Sequence, residues 1–148
     1  MRTIAIGVVA TALIGFGTAA AQQKLTAQAP DLTPVPARIL NGVASVRNAG
    51  SAAAGPFLLT VQCQKQGGGG CAEPPGMAAY ENPSYPNRLV IPVPGLAAGK
   101  VFNHTLPFWK GLKWQPGNYN FVLEADAGKT VAETNEGNNF GGAVLSKP

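Results

Sequence analysis

Glycine and proline occur so often in this sequence that helices of ordinary length have little room between them. The chain of 148 residues contains 19 Gly and 13 Pro, and from residue 22 onward the longest stretch without either is ten residues. Proline inside a helix costs about 3 kcal/mol and glycine about 1 kcal/mol relative to alanine. Strands of about five or six residues fit between such breakers. The spacing therefore predicts an all-β protein.

Apolar and polar side chains alternate in most segments between these breakers. In 57–64 the odd positions are apolar, and in 38–48 Leu40, Ala44 and Val46 fall on one face with Ser45 on the other. A period of two residues indicates a strand with one buried face. The predicted strands are an edge strand at the end of 22–36, then 38–48, 57–64, 89–91, 100–106, 118–126 and 140–145. Seven one-sided strands without a βαβ rhythm predict an antiparallel sandwich of two sheets.

Residues 1–21 have the pattern of a signal peptide. A basic start precedes an apolar run over 4–16, and Ala19–Ala21 supplies small residues before Gln22. The rival interpretation is a membrane anchor, but a run of about 13 to 18 residues is short for a span of about 20. We therefore predict cleavage between Ala21 and Gln22, and a periplasmic or secreted mature form that does not span the membrane.

The rest of the chain predicts a flexible leader over 22–30 and one domain over 31–146. The net charge of the whole chain is +4, and it falls to +3 without the signal peptide because Arg2 is its only charged residue. A binding face for nucleic acid requires clustered basic residues, and the sequence shows no such cluster. We therefore expect no nucleic-acid partner.

Cys63 and Cys71 are the two cysteines of the chain. Export permits a disulfide, so pairing is the favoured prediction. A redox or metal-binding pair is the alternative, but the spacing is not C-x-x-C and the chain has a single histidine. The disulfide closes the start of a long loop, 66–87, which we call the insertion.

Aromatic side chains in two loops are the candidates for binding. Trp109 and Trp114 lie in the segment 107–115, which we call the aromatic loop, and Tyr80 and Tyr85 lie in the insertion. Exposed rings stack on sugars or anchor a protein partner. The alternative is that Trp109 closes an open end of the sandwich, since tryptophan buries a large area.

A cluster of acids and amides lies between two predicted strands. Calcium is bound by six to eight oxygen ligands, including carboxylates and amides. The structural alternative is turn formation, because Asn and Asp side chains bond their own backbone. The spacing matches no known calcium loop, so the structural interpretation is favoured. The candidate metal ligands are Asp126, Glu133, Asn135, Glu136, Asn138 and Asn139.

The sequence offers no recognisable catalytic constellation. His104 lies between Phe102 and Leu106 on the predicted inward face of a strand, where a hydrogen-bonded, partly buried histidine is expected. No serine lies in a G-x-S-x-G setting, and only one histidine could act as a base. We expect no catalytic residues, no enzymatic activity and no cofactor, with calcium as the one ion considered.

Four segments recur in a recognisable order, and the last of them, 131–139, contains the pattern E-x-N-E-x-N-N at 133–139. Together they resemble the CARDB family, the cell adhesion related domain found in bacteria. The resemblance spans about residues 31–146, and the closing pattern is its most specific part. It implies an immunoglobulin-like sandwich of seven strands, exported or surface-associated, without enzymatic activity. The long insertion with its two cysteines departs from the usual form of the family and argues against a simple spacer role. The segments are 46–57, 93–99, 116–119 and 131–139.

These observations together predict an exported, non-catalytic module for binding or adhesion. The scaffold leaves recognition to its loops. Because the module is expected to be exported, its partner is expected to be a protein or carbohydrate of the cell envelope. The alternative is a calcium-stabilised accessory domain of an envelope assembly.

Overall fold

The chain forms seven β-strands, and the computed structural model describes residues 28–71 and 73–148. The strands are β1 (Leu32–Pro34), β2 (Val43–Asn48), β3 (Phe57–Lys65), β4 (Leu89–Val93), β5 (Val101–Thr105), β6 (Gly117–Glu124) and β7 (Phe140–Lys147). Four short 3-10 helices lie between them, at Pro36–Asn41, Met77–Tyr80, Trp109–Gly111 and Glu136–Asn138.

The strands make two antiparallel sheets that enclose one core. One sheet has the order β1-β2-β5, and the other has the order β4-β3-β6-β7. Each inner face contributes fully buried side chains, such as Val46 from β2 and Leu59 and Leu123 from β3 and β6. Burying each such side chain contributes about 1.5–3 kcal/mol. The prediction of an immunoglobulin-like antiparallel sandwich with seven strands is confirmed.

The predicted strand 38–48 is wrong in its first half. Residues Pro36–Asn41 form a 3-10 helix, and the strand begins only at Val43. Pro36 fixes its own φ at a helical value, and Gly42 ends the helix with φ +74°, a conformation that glycine adopts without strain. Ile39, on the helix, is fully buried instead of Leu40, which is only half-buried.

Ser45 was predicted on the polar face of β2, but the structure buries it completely. Its hydroxyl donates to Oδ1 of Asn103 on the neighbouring strand β5, at 2.8 Å. The cross-strand hydrogen bond removes the cost of burying the hydroxyl, which alternation alone does not reveal.

The turn at 48–51 is organised by Asn48, which is fully buried at the end of β2. Its Oδ1 accepts from the N–H of Asp31 and of Gly50, and its Nδ2 donates to the carbonyls of Ala52 and Leu96. The side chain thus joins three segments at one end of the sandwich.

Residues 128–139, between β6 and β7, contain no strand. Turns run from the end of β6 to the 3-10 helix Glu136–Asn138, and β7 follows. At the start of β6, the hydroxyl of Tyr119 donates to the carbonyl of Gln115 at 2.8 Å. This bond is the tyrosine corner found at the same place in immunoglobulin-like sandwiches.

Several predictions concern residues outside the described part. The signal peptide 1–21, its cleavage site before Gln22 and residues 22–27 of the leader lie there. Within 28–71 and 73–148, no helix is both long and apolar enough to cross a membrane.

Candidate functional site

A cleft of about 630 Å3 opens between the insertion and the aromatic loop. Its floor is part of the core, formed by Val61 of β3, Phe121 of β6 and Leu106 after β5. The volume lies in the range of sites for small ligands. We call this feature the aromatic cleft, because side chains from both candidate loops line it.

The disulfide between Cys63 and Cys71 forms one side of the aromatic cleft. It joins Cα atoms 5.9 Å apart, within the usual range for disulfides. A single antiparallel bridge between Gln64 and Gly70 lies beside it. The predicted disulfide is therefore present, and it ties the start of the insertion to β3.

Tyr80 fastens the middle of the insertion to the opposite sheet. Its hydroxyl lies 2.9 Å from Nε2 of His104 on β5, and its ring meets that of Phe108 edge-on at 5.6 Å. His104 is half-buried and hydrogen-bonded, as predicted. Tyr80 does not line the aromatic cleft, unlike the other three aromatic candidates, so the structure places it as an anchor of the insertion.

Trp109 and Trp114 both line the aromatic cleft and pack edge-to-face at 5.3 Å between ring centroids. Trp109 lies 5.6 Å from the ring of Phe121, and Trp114 lies 4.7 Å from that of Tyr119. Both side chains are half-buried. They therefore cover the end of the sandwich and also present ring surface to the cleft, and binding by these rings stays a prediction.

Gly42 determines the position of Trp109. A Cβ atom at Gly42 would lie 2.3 Å from Cγ of Trp109, a separation that real structures do not tolerate. The carbonyl of Gly42 also accepts from the N–H of Leu106 at 2.8 Å, just before the aromatic loop. The indole of Trp109 therefore packs against the turn after the 3-10 helix, in space that a side chain at Gly42 would occupy.

Polar groups form the rim of the aromatic cleft on the side of the insertion. Tyr85 lines it together with the exposed carboxylates of Glu73 and Glu81. Arg88 lies at the same rim and pairs with Glu124 of β6. Neither motifs nor periodicity single out Glu73, Glu81 or Arg88, although all three belong to or directly follow the insertion.

Asp126 uses both carboxylate oxygens inside its own turn. One oxygen accepts from the N–H and the hydroxyl of Thr130, both at 3.0 Å, and the other accepts from the N–H of Val131 at 2.9 Å. Asp126 is 1% exposed and has φ +46°. Its contacts support the structural interpretation of this residue.

Glu133 and Glu136 hold the next part of the segment 126–139, which we call the acidic turn. Glu133 accepts hydrogen bonds from the N–H of Leu32 on β1 and from Nδ2 of Asn139, and Glu136 accepts from the N–H of Glu133 at 3.1 Å. The turn is thereby fastened to the edge strand of the opposite sheet, 101 residues away in sequence.

Asn135 and Asn138 complete the acidic turn. Asn135 caps the last 3-10 helix by accepting from the N–H of Gly137 at 3.0 Å. Asn138 donates to the carboxylate of Asp31 at 2.8 Å and to the hydroxyl of Thr33 at 3.3 Å. Of the six candidate metal ligands, Glu133, Glu136 and Asn139 bond to one another, and the side chains of the other three bond elsewhere.

Burial raises the pKa of the Glu133 carboxyl above its usual value. Hydrogen bonds from Leu32 and Asn139 lower this pKa, and the neighbouring carboxylates of Glu136 and Asp126 raise it. The buried Oδ1 atoms of Asn138 and Asn139 accept no hydrogen bond from any residue of 28–71 or 73–148. Within the described ranges, no three side chains of His, Cys, Asp or Glu come together in a group that could hold a metal ion.

Several titratable groups have partners within the described part of the chain. His104 pairs with Tyr80, Glu124 pairs with Arg88, and Asp126 is used by its own turn. Glu73 and Glu81 remain exposed at the rim of the aromatic cleft.

Comparison with known proteins places this sandwich in a family. The sequence model of the CARDB family matches residues 25–141. A solved structure described as the CARDB domain of a protein from Pyrococcus furiosus, in complex with di-metal ions, is similar to this chain. Its sequence identity is 21%, the TM-score is 0.45, and the match covers 80% of this chain and 94% of the other. A search of curated proteins finds no match.

Proposed function

The chain belongs to the CARDB family of adhesion-related domains, and from this premise we propose that it is an exported, non-catalytic binding module whose recognition surface is the aromatic cleft. The observation that carries the proposal is the convergence of two separate loops on one cavity. Tyr85 comes from the insertion, Trp109 and Trp114 come from the aromatic loop, and all three line the same space. Loops held by a rigid scaffold commonly provide binding sites.

Anchoring of the insertion supports this role. The disulfide holds its start, and the contact of Tyr80 with His104 and Phe108 holds its middle. A loop that is fixed before binding loses less conformational freedom when a ligand arrives. The insertion is therefore suited to act as a preformed wall of the cleft.

The chemistry of the aromatic cleft fits a protein or carbohydrate of the cell envelope. The rings of Trp109 and Trp114 offer flat apolar surface for a sugar face or an apolar side chain. The carboxylates of Glu73 and Glu81 at the rim accept hydrogen bonds from hydroxyl or amide groups. An apolar floor with a few polar groups at the edge is typical of specific binding sites.

A direct binding experiment tests this function. Soluble peptidoglycan fragments and glycan-free envelope proteins are titrated separately against the oxidised protein by calorimetry. Tyr85→Ala removes a cleft ring on the insertion, and Phe140→Ala removes an exposed ring on β7, away from the cleft. We expect Tyr85→Ala to weaken binding by about tenfold or more, as at a hot-spot position, and Phe140→Ala to leave it unchanged. Equal affinity of the two variants would contradict the proposal.

Export is supported by the disulfide and by the family. Disulfides persist in oxidising compartments, outside the cytoplasm. We propose that residues 1–21 are a cleaved signal peptide and that the protein acts in the periplasm or after secretion. Mass spectrometry of the protein from a periplasmic extract should show an N-terminus at Gln22. An intact N-terminus at Met1 would contradict this part of the proposal.

A second candidate is a calcium-stabilised accessory domain. The observation that favours it is the pair of buried Oδ1 atoms of Asn138 and Asn139, which accept no hydrogen bond beside the carboxylates of Glu133 and Asp31. A cation is one way to satisfy such oxygens, and calcium accepts both amides and carboxylates.

Thermal unfolding with calcium and then with chelator tests this candidate. A site present only in the folded state raises stability by RT ln(1 + [L]/Kd). The wild type should gain stability in millimolar calcium, and Asn138→Ala should not, whereas Asn135→Ala should behave as the wild type. An unchanged midpoint of the wild type would overturn the candidate.

A further inference from the structure

Strand β7 is the open edge of the four-stranded sheet. It pairs with β6 on one side only, over eight residues from Phe140 to Lys147. The end of β1 and the 3-10 helix Pro36–Asn41 pack against the inner face of β7, because a Cβ atom at Gly141 would lie 3.2 Å from both Pro34 and Pro36. This contact is made with the face of β7. The backbone N–H and C=O groups along the outer edge of the strand take no part in it.

The hydrogen-bond pattern shows which backbone groups of β7 point outward. The N–H of Ala125 donates to the carbonyl of Asn139, so residues 125 and 139 face each other as a hydrogen-bonded pair. Hydrogen-bonded and non-hydrogen-bonded pairs alternate along an antiparallel ladder. The N–H and C=O groups that point away from β6 are therefore those of Phe140, Gly142, Val144 and Ser146.

These outward groups are unpaired among the residues that the structure describes. The same four positions lie on the exposed face of the sheet, where Phe140 is 59% and Val144 is 51% exposed, and Gly142 has no side chain. An open edge of this length with an apolar face is a template for pairing with another strand.

Two of the three other edges, β4 and β1, are blunted in ways that β7 is not, and the third, β5, is shorter, with five residues against eight. β4, at the opposite edge of the same sheet, contains Pro92, which has no N–H to donate. β1 has only three residues and ends in Pro34. β7 contains no proline, and Lys147 at its end is its one charged residue.

We propose that β7 pairs antiparallel with β7 of a second copy of this chain, joining two four-stranded sheets into one of eight strands. A strand paired with its own copy about a twofold axis satisfies donors and acceptors in matched positions. One register uses all four outward residues, with 140 opposite 146 and 142 opposite 144, and it forms roughly eight backbone hydrogen bonds.

Side chains and charges fit the same register. Phe140 of one copy lies diagonally across from Val144 of the other, within reach of an aromatic ring. Lys147 at the end of β7 comes next to the start of the partner strand, which Glu133 and Glu136 precede. Opposite charges at the two ends favour the antiparallel arrangement over the parallel one.

Light scattering coupled to gel filtration tests the pairing with three variants. Val144→Pro removes an N–H that points away from β6, so the monomer keeps its ladder and loses the contact between copies. Val144→Lys places a charge on the edge, and Val122→Lys places the same charge one strand further in, on the same exposed face. Circular dichroism shows whether each variant is folded.

The wild type and Val122→Lys should have twice the monomer mass at tens of micromolar. Val144→Pro should be monomeric, and Val144→Lys should dimerise at least tenfold more weakly. A monomeric wild type, or equal dimerisation of Val144→Lys and Val122→Lys, would overturn the proposal, even if Val144→Pro fails to fold.

Oxidative cross-linking tests the register. In the proposed dimer the two copies of residue 143 face each other as a non-hydrogen-bonded pair, with Cα atoms about 4.5 Å apart. Ala143→Cys should therefore form a covalent dimer, whereas Leu145→Cys, which faces residue 141, should not. The reverse result would contradict this register.

Discussion

The acidic turn and the aromatic cleft differ in how they use their side chains. In the acidic turn, carboxylates and amides bond to the backbone of the same turn or of β1, as Asp126 does with Thr130 and Val131. In the aromatic cleft, Trp109 and Trp114 pack on the core with one part of each ring and leave another part open to a cavity. The difference separates a segment whose polar groups hold the fold together from one that leaves ring surface open to a cavity.

The largest expected effect on stability comes from Gly42→Ala, a substitution beside the aromatic cleft. The new Cβ atom would displace Trp109, and the alanine would have to keep an unfavourable positive φ. The free energy of unfolding should therefore fall by about 4 kcal/mol. Gly99→Ala is the matched control, because Gly99 has φ +72° with no atom within 4 Å of a Cβ. It should lose only about 1 kcal/mol. Equal losses in urea unfolding would show that Trp109 does not depend on Gly42.

Asp126→Ala should have the next largest effect, and it acts on the acidic turn. The substitution leaves the N–H of Val131 and two donors of Thr130 without their acceptor, which should cost about 3 kcal/mol. Asn135→Ala, at an exposed cap, should cost about 1 kcal/mol or less. Binding in the cleft should be unchanged in whichever variants remain folded. Loss of binding by folded Asp126→Ala protein would show that the two regions are not separate.

Removal of the disulfide should affect the cleft alone. The Cys63→Ser, Cys71→Ser double variant should lose about 2 kcal/mol, because the small loop gains freedom in the unfolded chain. Hydrogen exchange should become faster in the insertion and stay constant in the acidic turn, which is held by hydrogen bonds. Equal acceleration in both regions would contradict the distinction.

The smallest effect concerns the pH dependence that Glu133 contributes. Its pKa is raised in the folded state, so the native protein binds a proton more readily than the unfolded chain between the usual and the raised value. As pH falls through this window, the wild type should gain stability relative to Glu133→Gln. Glu73→Gln, at an exposed carboxylate, serves as the control. Denaturant unfolding at pH 7 and at pH 4 measures the difference, and a relative loss at pH 4 would contradict the cause assigned to the shift.

Sequence periodicity predicted the seven strands because each buries one face, but it failed where burial is decided by other contacts. The 3-10 helix at Pro36–Asn41 contains apolar residues at positions that also fit a strand, and only the packing of Ile39 distinguishes the two. Ser45 is buried because Asn103, 58 residues away, supplies an acceptor. No local pattern carries that information.

The aromatic residues of the candidate site could be predicted from the sequence. How the fold brings them together could not. Composition singled out Trp109, Trp114 and Tyr85, since large rings in loops are uncommon outside binding sites and cores. Their meeting depends on contacts distant in sequence, such as that of Tyr80 with His104 and of Gly42 with Trp109. The rim residues Glu73, Glu81 and Arg88 gave no signal, because isolated charges in a loop resemble ordinary surface.

Tryptophan fluorescence tests the central claim most directly, because both tryptophans of the chain line the aromatic cleft. The envelope fraction that binds the protein in calorimetry is added while emission and quenching by acrylamide are recorded. We expect the emission maximum to shift to shorter wavelength and quenching to decrease as the ligand covers the rings. Binding that leaves both emission and quenching unchanged would place the ligand elsewhere on the molecule and contradict the account.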